Sequence, residues 1–228
     1  MTDSSLIVGS MASPVSPEEM AIFQRAGVAT VVESLGVPDG YHQMMSAEMI
    51  RRTSRRRIAG QAVTVASGHN DNLMMHVGLE IARRGQVLVI TGTGPMGVSW
   101  GEMVTVGALA KGVVGVIVDG SVRDVDGIDG LGFPVWATSV RPFGAGKRAI
   151  GGVNRPVLCA GVHVSPGDVI VADGDGVVVV PHRRVGPLAE AAAARTEREV
   201  RIRSATEGGI MPGRTAGHLD GIDFASEG

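Results

Sequence analysis

Cysteine is nearly absent: Cys159 is the only one in 228 residues, so no intrachain disulfide can form. Its position in the apolar run "PVLCAG" reads as an inert buried thiol. Lysine is almost as scarce, with only Lys111 and Lys147 against 23 acidic residues. One follows glycine in "GAGK" and the other ends a helical pattern beside a glycine, so neither suits the desolvated amine that Schiff-base catalysis requires. Aromatic residues make up 3%. A net charge of -2 argues against a protein built to coat nucleic acid, and the basic run "RRTSRRR" (51–57) reads as a solvated connection. No segment approaches the roughly 18 uninterrupted apolar residues of a membrane span. The N-terminal "MTDSSLIVGSMASPVSPEEM" lacks a charged start and a sustained apolar stretch, so the expectation is a cytoplasmic protein. The six histidines show no H-E-x-x-H or comparable spacing, which argues against a zinc site, and there is no G-x-S-x-G elbow.

What is present is 34 glycines punctuating short apolar runs. Ser16, Pro17 and two acids open a helix expected to reach Ala26, and a second short helix, "VATVVESLG", stops at Gly36. "IAGQAVTVAS" reads as a strand, "NDNLMMHVGLEIARRG" as a helix, "QVLVIT" as a buried strand and "SWGEMVTVGALAKG" as a helix closed by Gly112. "VVGVIVDG" is the next strand, ended by Asp119 and Gly120, and "VRDVDGIDGLG" is a short helix. "PVWATSV", "PVLCAG" and "DVIVADGDGVVVVP" are further strands, and a long helix begins at Pro187. The middle is β-α-β and the later part mostly β, so the expected class is α/β with a mixed sheet or sandwich. A single catalytic domain is expected over 1–205, followed by a polar tail at 206–228.

Two tempting motifs fail. "GTGPMG" (92–97) fits G-x-G-x-x-G between a strand and a helix, but the C-terminal half does not continue the alternation of a dinucleotide fold. "DGDG" (173–176) resembles the start of a calcium loop, yet its twelfth position is Arg184, so it reads as a hairpin turn. His76, inside a helical pattern, reads as a hydrogen-bonded structural residue.

The stretch "GVVGVIVDGSVRDVDGI" changes character halfway, from a buried strand to Asp119, Arg123, Asp124, Asp126 and Asp129. Carboxylates past a strand end can offer oxygen to Mg²⁺ or Mn²⁺, and an arginine beside them offers a planar donor fork to a carboxylate. An ordinary surface turn with an ion pair has the same composition, and spacing alone leaves both readings open.

The order of "WGEMVTVGALAKG", "GVVGVIVDGSVRD", "GFPVWA", "PVLCAGVHVSPGDVIVADGDGVVVVP" and a charged helix resembles the RraA-like family, over about Ala26 to Glu199. It resembles in particular the metal-dependent 4-hydroxy-4-methyl-2-oxoglutarate / 4-carboxy-4-hydroxy-2-oxoadipate aldolases. The most specific part is D-G-x-x-R-D, here Asp119, Gly120, Arg123 and Asp124.

The resemblance implies a swivelling β/β/α fold with a mixed sheet and a C-terminal helix, assembled as a homotrimer or a hexamer with sites between subunits. It implies a pyruvate aldolase acting on an oxo-acid substrate, with oxaloacetate decarboxylation as a second activity and a divalent cation, Mg²⁺ or Mn²⁺, as cofactor. Asp124 would be the sole protein ligand of the metal, and Arg123 would bind the 2-oxo oxygen. Gly101 opens the "GEMV" segment, in which the amides of Met103 and Val104 would hold the pyruvyl carboxylate. Glu102 would hold a water. Lys147, and Glu199 from a neighbouring subunit, would line the pocket; read from the residues alone, these two also fit solvated surface charge. The rival class is a protein that regulates ribonuclease E by binding. Members of that class depart from the signature at the carboxylate after the arginine, which this chain retains as Asp124.

Overall fold

A computed structural model describes residues 8–54, 57–92, 94 and 97–222. Arg55, Arg56, Thr93, Pro95 and Met96, which belong to the basic run and the glycine-rich loop, lie outside the described residues.

Ser16 and Glu19 close a reciprocal capping box at the start of α1 (Pro17–Leu35). Gly27, at φ 78° and ψ 178°, breaks that helix where the sequence predicts a boundary. A short turn of helix, α2 (Asp39–His42), and a two-residue strand, β1 (Ile50–Arg51), come next. Three crossovers then build the parallel part of the sheet: β2 (Ile58–Ala66), α3 (Leu73–Ile81), β3 (Val87–Thr91), β4 (Val98–Trp100), α4 (Glu102–Lys111), β5 (Gly115–Val122), α5 (Val125–Gly130) and β6 (Val135–Val140). Five further strands succeed them: β7 (Gly152–Val153), β8 (Val157–Cys159), β9 (Val162–Val164), β10 (Val169–Asp173) and β11 (Gly176–Val180). The chain then forms α6 (Val185–Glu207) and α7 (Pro212–Thr215).

Nine strands form one mixed sheet in the order β1-β6-β5-β3-β2-β10-β11, with β4 added to β5 and β7 added to β2, while β8 and β9 pair as a separate hairpin. The pairs β2–β3, β3–β5, β4–β5 and β5–β6 are parallel; β1–β6, β2–β10, β2–β7 and β10–β11 are antiparallel. Strands that read as unbroken apolar runs are buried on both faces. Leu88 and Ile90 of β3 pack with Val116 and Val118 of β5 against the layer that holds α3. Their neighbours Val87, Val89 and Ile117 point the other way, toward Trp136, Cys159 and Val164. At the other end of the sheet, alternate residues of β10 and β11 pack under α1 and α6 through Phe23, Val31, Leu188 and Ala192.

Several expectations need correction. β5 does not end at Asp119 and Gly120. It slips register between Val118 and Ser121 and resumes to Val122. The slip is held by Asp119, whose carboxylate accepts the Ala160 N–H at 2.7 Å, and by Thr138, whose hydroxyl donates to the Gly120 carbonyl at 3.1 Å. Ser99 and Trp100, expected in a helix, belong to β4, and α4 begins only at Glu102. The basic run is more than a solvated connection: Arg52 donates to the carbonyls of Ala137 and Thr138, and Arg57 pairs with Asp173 at 3.2 Å. The "DGDG" segment is a tight hairpin turn, with Asp173 opposite Gly176. Among the described residues no helix is long and apolar enough to cross a membrane.

Trp100 joins the core to the strand end that opens α4. It is 1% exposed and stacks on Phe133 with ring centroids 5.9 Å apart, and its indole N–H donates to Thr105 Oγ1 at 2.8 Å. Trp100→Ala should cost about 3–5 kcal/mol of folding stability, read from denaturant midpoints. A loss under about 1 kcal/mol would show that this stack does not anchor the sheet.

Candidate functional site

The polar residues of the "GEMV" and "RD" segments meet because β4 and β5 run parallel and end together. Val98 lies opposite Ser121 and Trp100 opposite Val122, and the N–H of Arg123 donates to the Trp100 carbonyl at 3.0 Å. Gly101 is therefore the next residue out on one strand, and Arg123 and Asp124 on the other. A Cβ at Gly101 would stand 2.8 Å from Asp124 Oδ2 and 3.3 Å from Arg123 Nε, so a larger residue there would make both side chains shift.

Asp124 sits in the left-handed region, at φ 56° and ψ 35°, as the residue capping α5. Its Oδ2 accepts the Glu102 N–H at 3.3 Å and pairs with Arg123 Nε at 3.4 Å. Among the described residues its other oxygen accepts no hydrogen bond. The carboxylate thus faces the first turn of α4, where the N–H groups of Met103 and Val104 have no intrahelical acceptor. Negative charge is favoured there by the helix dipole. Glu102 is exposed and passes close over Gly127, where a Cβ would run into its carboxylate.

These groups line a cleft of about 280 Å³. Gly101, Glu102, Met103, Val104, Arg123, Asp124 and Lys147 all border it. So do Asn72 and His76 of the α3 segment and Phe143, Gly144 and Ala145 of the loop after β6. The cleft therefore opens where the chain leaves β2, β4, β5 and β6, at the carboxyl ends of the parallel strands, where α/β sheets place ligands.

Asn72 and His76 were missed by sequence reasoning. Their spacing of four puts them one helical turn apart, and that spacing beside a strand end was the available signal. Rather than the hydrogen-bonded structural residue expected, His76 borders the cleft, with no side-chain hydrogen bond among the described residues. Partial burial of its ring, and then the Lys147 charge, hold its pKa below 6.5, so the imidazole is neutral at neutral pH. The Asn72 side-chain oxygen is buried with no hydrogen-bond partner among the described residues. Lys147 is exposed, and among the described residues it has no carboxylate within ion-pair distance, whereas Lys111 is engaged by Glu80.

Other acidic residues of the opening cluster go elsewhere. Asp119 faces the β8–β9 turn, and Asp129 accepts the N–H and hydroxyl of Ser54 at 2.6 and 2.8 Å. Glu199 is not among the residues lining the cleft of its own chain. It lies on α6, accepting from Thr30 at 3.1 Å and pairing with Arg195 at 3.3 Å. Burial pushes the Cys159 thiol well up, which fits an unreactive core residue.

Among the described residues no three His, Cys, Asp or Glu side chains converge as a metal cage. The donor set fits a hard cation held by a single carboxylate: Asp124 offers one free oxygen into an open cleft with room for waters.

Residues 28–179 match the family model described as RraA-like (Aldolase/RraA). An uncharacterised protein of Methanocaldococcus jannaschii is 35% identical over 152 residues, which cover 66% of this chain and 73% of that protein. A Halalkalibacterium halodurans protein, provisionally named 4-hydroxy-4-methyl-2-oxoglutarate aldolase, is 36% identical over 126 residues, 55% of this chain and 60% of that protein. Among solved structures, Streptomyces coelicolor RraAS2, described as an unusual member of the RNase ES inhibitor RraA family, superposes with a TM-score of 0.73 at 26% identity. That superposition covers 84% of this chain and 98% of RraAS2.

The Lys147 charge and the His76 imidazole are coupled, and the coupling can be read directly. In an NMR pH titration the His76 ring should titrate below 6.5, and Lys147→Met should raise the midpoint while leaving it below 6.5, because partial burial persists. An unchanged midpoint would place the Lys147 ammonium away from the cleft.

Proposed function

This chain belongs to the RraA-like family, and from that premise we propose that it is a divalent-metal-dependent lyase. It cleaves a 4-hydroxy-2-oxo acid, of the 4-hydroxy-4-methyl-2-oxoglutarate or 4-carboxy-4-hydroxy-2-oxoadipate type, to pyruvate and a second oxo acid. The observation that carries this reading is the convergence of a free Asp124 oxygen, the Arg123 guanidinium and the unpaired first-turn amides of α4 in one cleft. A single carboxylate, an arginine fork and a helix N-terminus suit a substrate with adjacent carboxylate and oxo groups.

Asp124 would hold Mg²⁺ or Mn²⁺ with waters completing its shell. When bound, the cation supplies Lewis acidity beside the 2-oxo group. The N–H groups of Met103 and Val104 orient the C1 carboxylate. Arg123 donates to the 2-oxo oxygen as that oxygen takes up negative charge. Glu102, exposed at the mouth of the cleft, accepts the C4 hydroxyl proton through water. As that proton leaves, the C4–O bond becomes a carbonyl, the C3–C4 bond breaks and its electron pair moves through C2 to the oxo oxygen. Protonation at C3 then gives pyruvate. Oxaloacetate yields the same three-carbon fragment on losing CO₂, so its decarboxylation is expected as well. A Schiff base is disfavoured because Lys147 is exposed rather than desolvated.

Self-association completes the site in this reading. α4 presents Met103, Val106 and Leu109 to solvent at 79%, 46% and 42% exposure, an apolar face that suits burial against a second copy. Glu199 then serves a neighbour's cleft in a trimer or a hexamer.

A second reading rests on the likeness to RraAS2: a non-catalytic protein that regulates a ribonuclease by binding. The two separate on one assay. Purified protein should release pyruvate from 4-carboxy-4-hydroxy-2-oxoadipate, 4-hydroxy-4-methyl-2-oxoglutarate or oxaloacetate with Mg²⁺ present and stop with EDTA. Asp124→Ala should lower kcat/KM by about a thousandfold while size-exclusion elution stays unchanged. Full activity in that variant would remove Asp124 from the chemistry, and no release from any substrate would favour the binding protein.

A further inference from the structure

The loop that carries Lys147 has no regular secondary structure over most of its length, yet it is tied down at both ends. At one end the Phe143 carbonyl accepts from Arg123 Nη1 at 3.3 Å. At the other it docks on the start of α3: Gly146 N–H donates to the Asn70 carbonyl at 2.8 Å, and Asn72 N–H donates to the Gly146 carbonyl at 2.9 Å. The centre of this dock is the carboxylate of Asp71, which is 4% exposed. Its Oδ1 accepts the Leu73 N–H at 2.8 Å; its Oδ2 accepts the N–H groups of Arg148 at 2.7 Å and Ala149 at 3.0 Å. Gly146 must be glycine for this approach, since a Cβ there would stand 2.7 Å from Asp71 Oδ2.

Asp71 thus spends its hydrogen-bonding capacity on backbone, caps α3 from the position before Asn72, and fixes the residues on both sides of Lys147. Its own pKa reflects this. Desolvation pushes it up, and the three N–H bonds and the Lys147 charge outweigh that and bring it below the usual carboxylate range. What the clasp produces is a wall of the cleft distinct from the one bearing Arg123 and Asp124. On it are the Lys147 ammonium, whose charge reaches the Asp71 carboxylate but which forms no ion pair among the described residues, the neutral His76 ring and the Asn72 side chain. An ammonium whose N–H donors no carboxylate engages, beside a neutral donor-acceptor ring, suits an anionic group of the ligand with a polar neighbour.

We propose that Asp71 is a positioning residue, which, by clasping the 146–149 backbone, holds Lys147 beside His76 as the subsite for a second carboxylate of the substrate. The inference rests on the oxo-acid reading above and gives the carboxylate beyond the pyruvyl half, which every substrate named there carries, a place on this wall. The pyruvyl half itself needs only α4, Arg123 and Asp124.

Asp71→Asn tests it, because an amide keeps one acceptor oxygen and turns a donor toward backbone donors. In this variant KM for oxaloacetate should rise about tenfold, the worth of a weakened charge-assisted contact, while the inhibition constant of pyruvate, which lacks the second carboxylate, stays the same. The His76 midpoint should rise toward its value in Lys147→Met, a readout that needs no turnover. Lys147→Met should raise the oxaloacetate KM similarly, and the double variant should add little, since both changes remove one interaction. An unchanged KM, equal losses for oxaloacetate and pyruvate, or full additivity would overturn the proposal. If the wild-type protein turns over no oxo acid, the functional reading fails, and the titration alone decides: an unmoved His76 midpoint in Asp71→Asn overturns the role given to Asp71.

Discussion

The three-residue pairing of β4 with β5 is the contact on which the cleft depends. It exists because β5 slips register at Asp119–Gly120 and then continues, so that Ser121 and Val122 are still strand when β4 arrives alongside. Without that continuation Arg123 would leave the sheet two residues early, and the Trp100 carbonyl would have no N–H to accept. With it, the Asp124 carboxylate lies beside Gly101 and reaches the first amide of a helix that lacks a side-chain cap of its own. The local chemistry is a product of sheet geometry: a parallel pair ending level places two loop starts side by side.

The two walls of the cleft are built by different means. The wall of α4, Arg123 and Asp124 is rigid because it extends core strands, with Trp100 and Phe133 stacked behind it. The wall of Lys147 lacks regular secondary structure, and there a buried carboxylate satisfies backbone N–H groups that a helix or strand would otherwise satisfy. Arg123 links them through the Phe143 carbonyl, so a displacement of the guanidinium reaches the loop directly.

Much of this architecture was legible in the sequence because apolar runs such as "VLVI" and "VIVA" can only be strands covered on both faces, and the alternation of their contacts bears that out. The "GEMV" and "RD" segments were legible as motifs, and they do share one cleft. Other features were not readable. A β-bulge leaves no periodic trace, so Asp119 looked like the end of a strand and a member of the acidic cluster, when it braces the turn at Ala160. Ser99 and Trp100 were absorbed into a helix because three residues of strand are too few to show alternation. His76 looked like a hydrogen-bonded structural residue of a helix, since nothing in a local window reveals that the loop carrying Lys147 borders the same space. Lys147 could be named by resemblance, but its clasp could not, because Asp71 and Gly146 are joined only by the tertiary fold.

Asp124 occupies a backbone conformation that L-residues other than asparagine and aspartate rarely adopt, at an expense of about 1 kcal/mol. A glycine at this position would relieve that strain and an asparagine would accept it equally well, so the backbone conformation alone gives no preference for a carboxylate; the preference comes from the Arg123 guanidinium and the first amide of α4, which the carboxylate engages. Backbone strain and charge contacts thus oppose each other at the residue that borders the cleft. A substitution chosen only to relax the backbone would arrive at position 124 early, and would trade the strain for an arginine and a helix terminus left without their carboxylate.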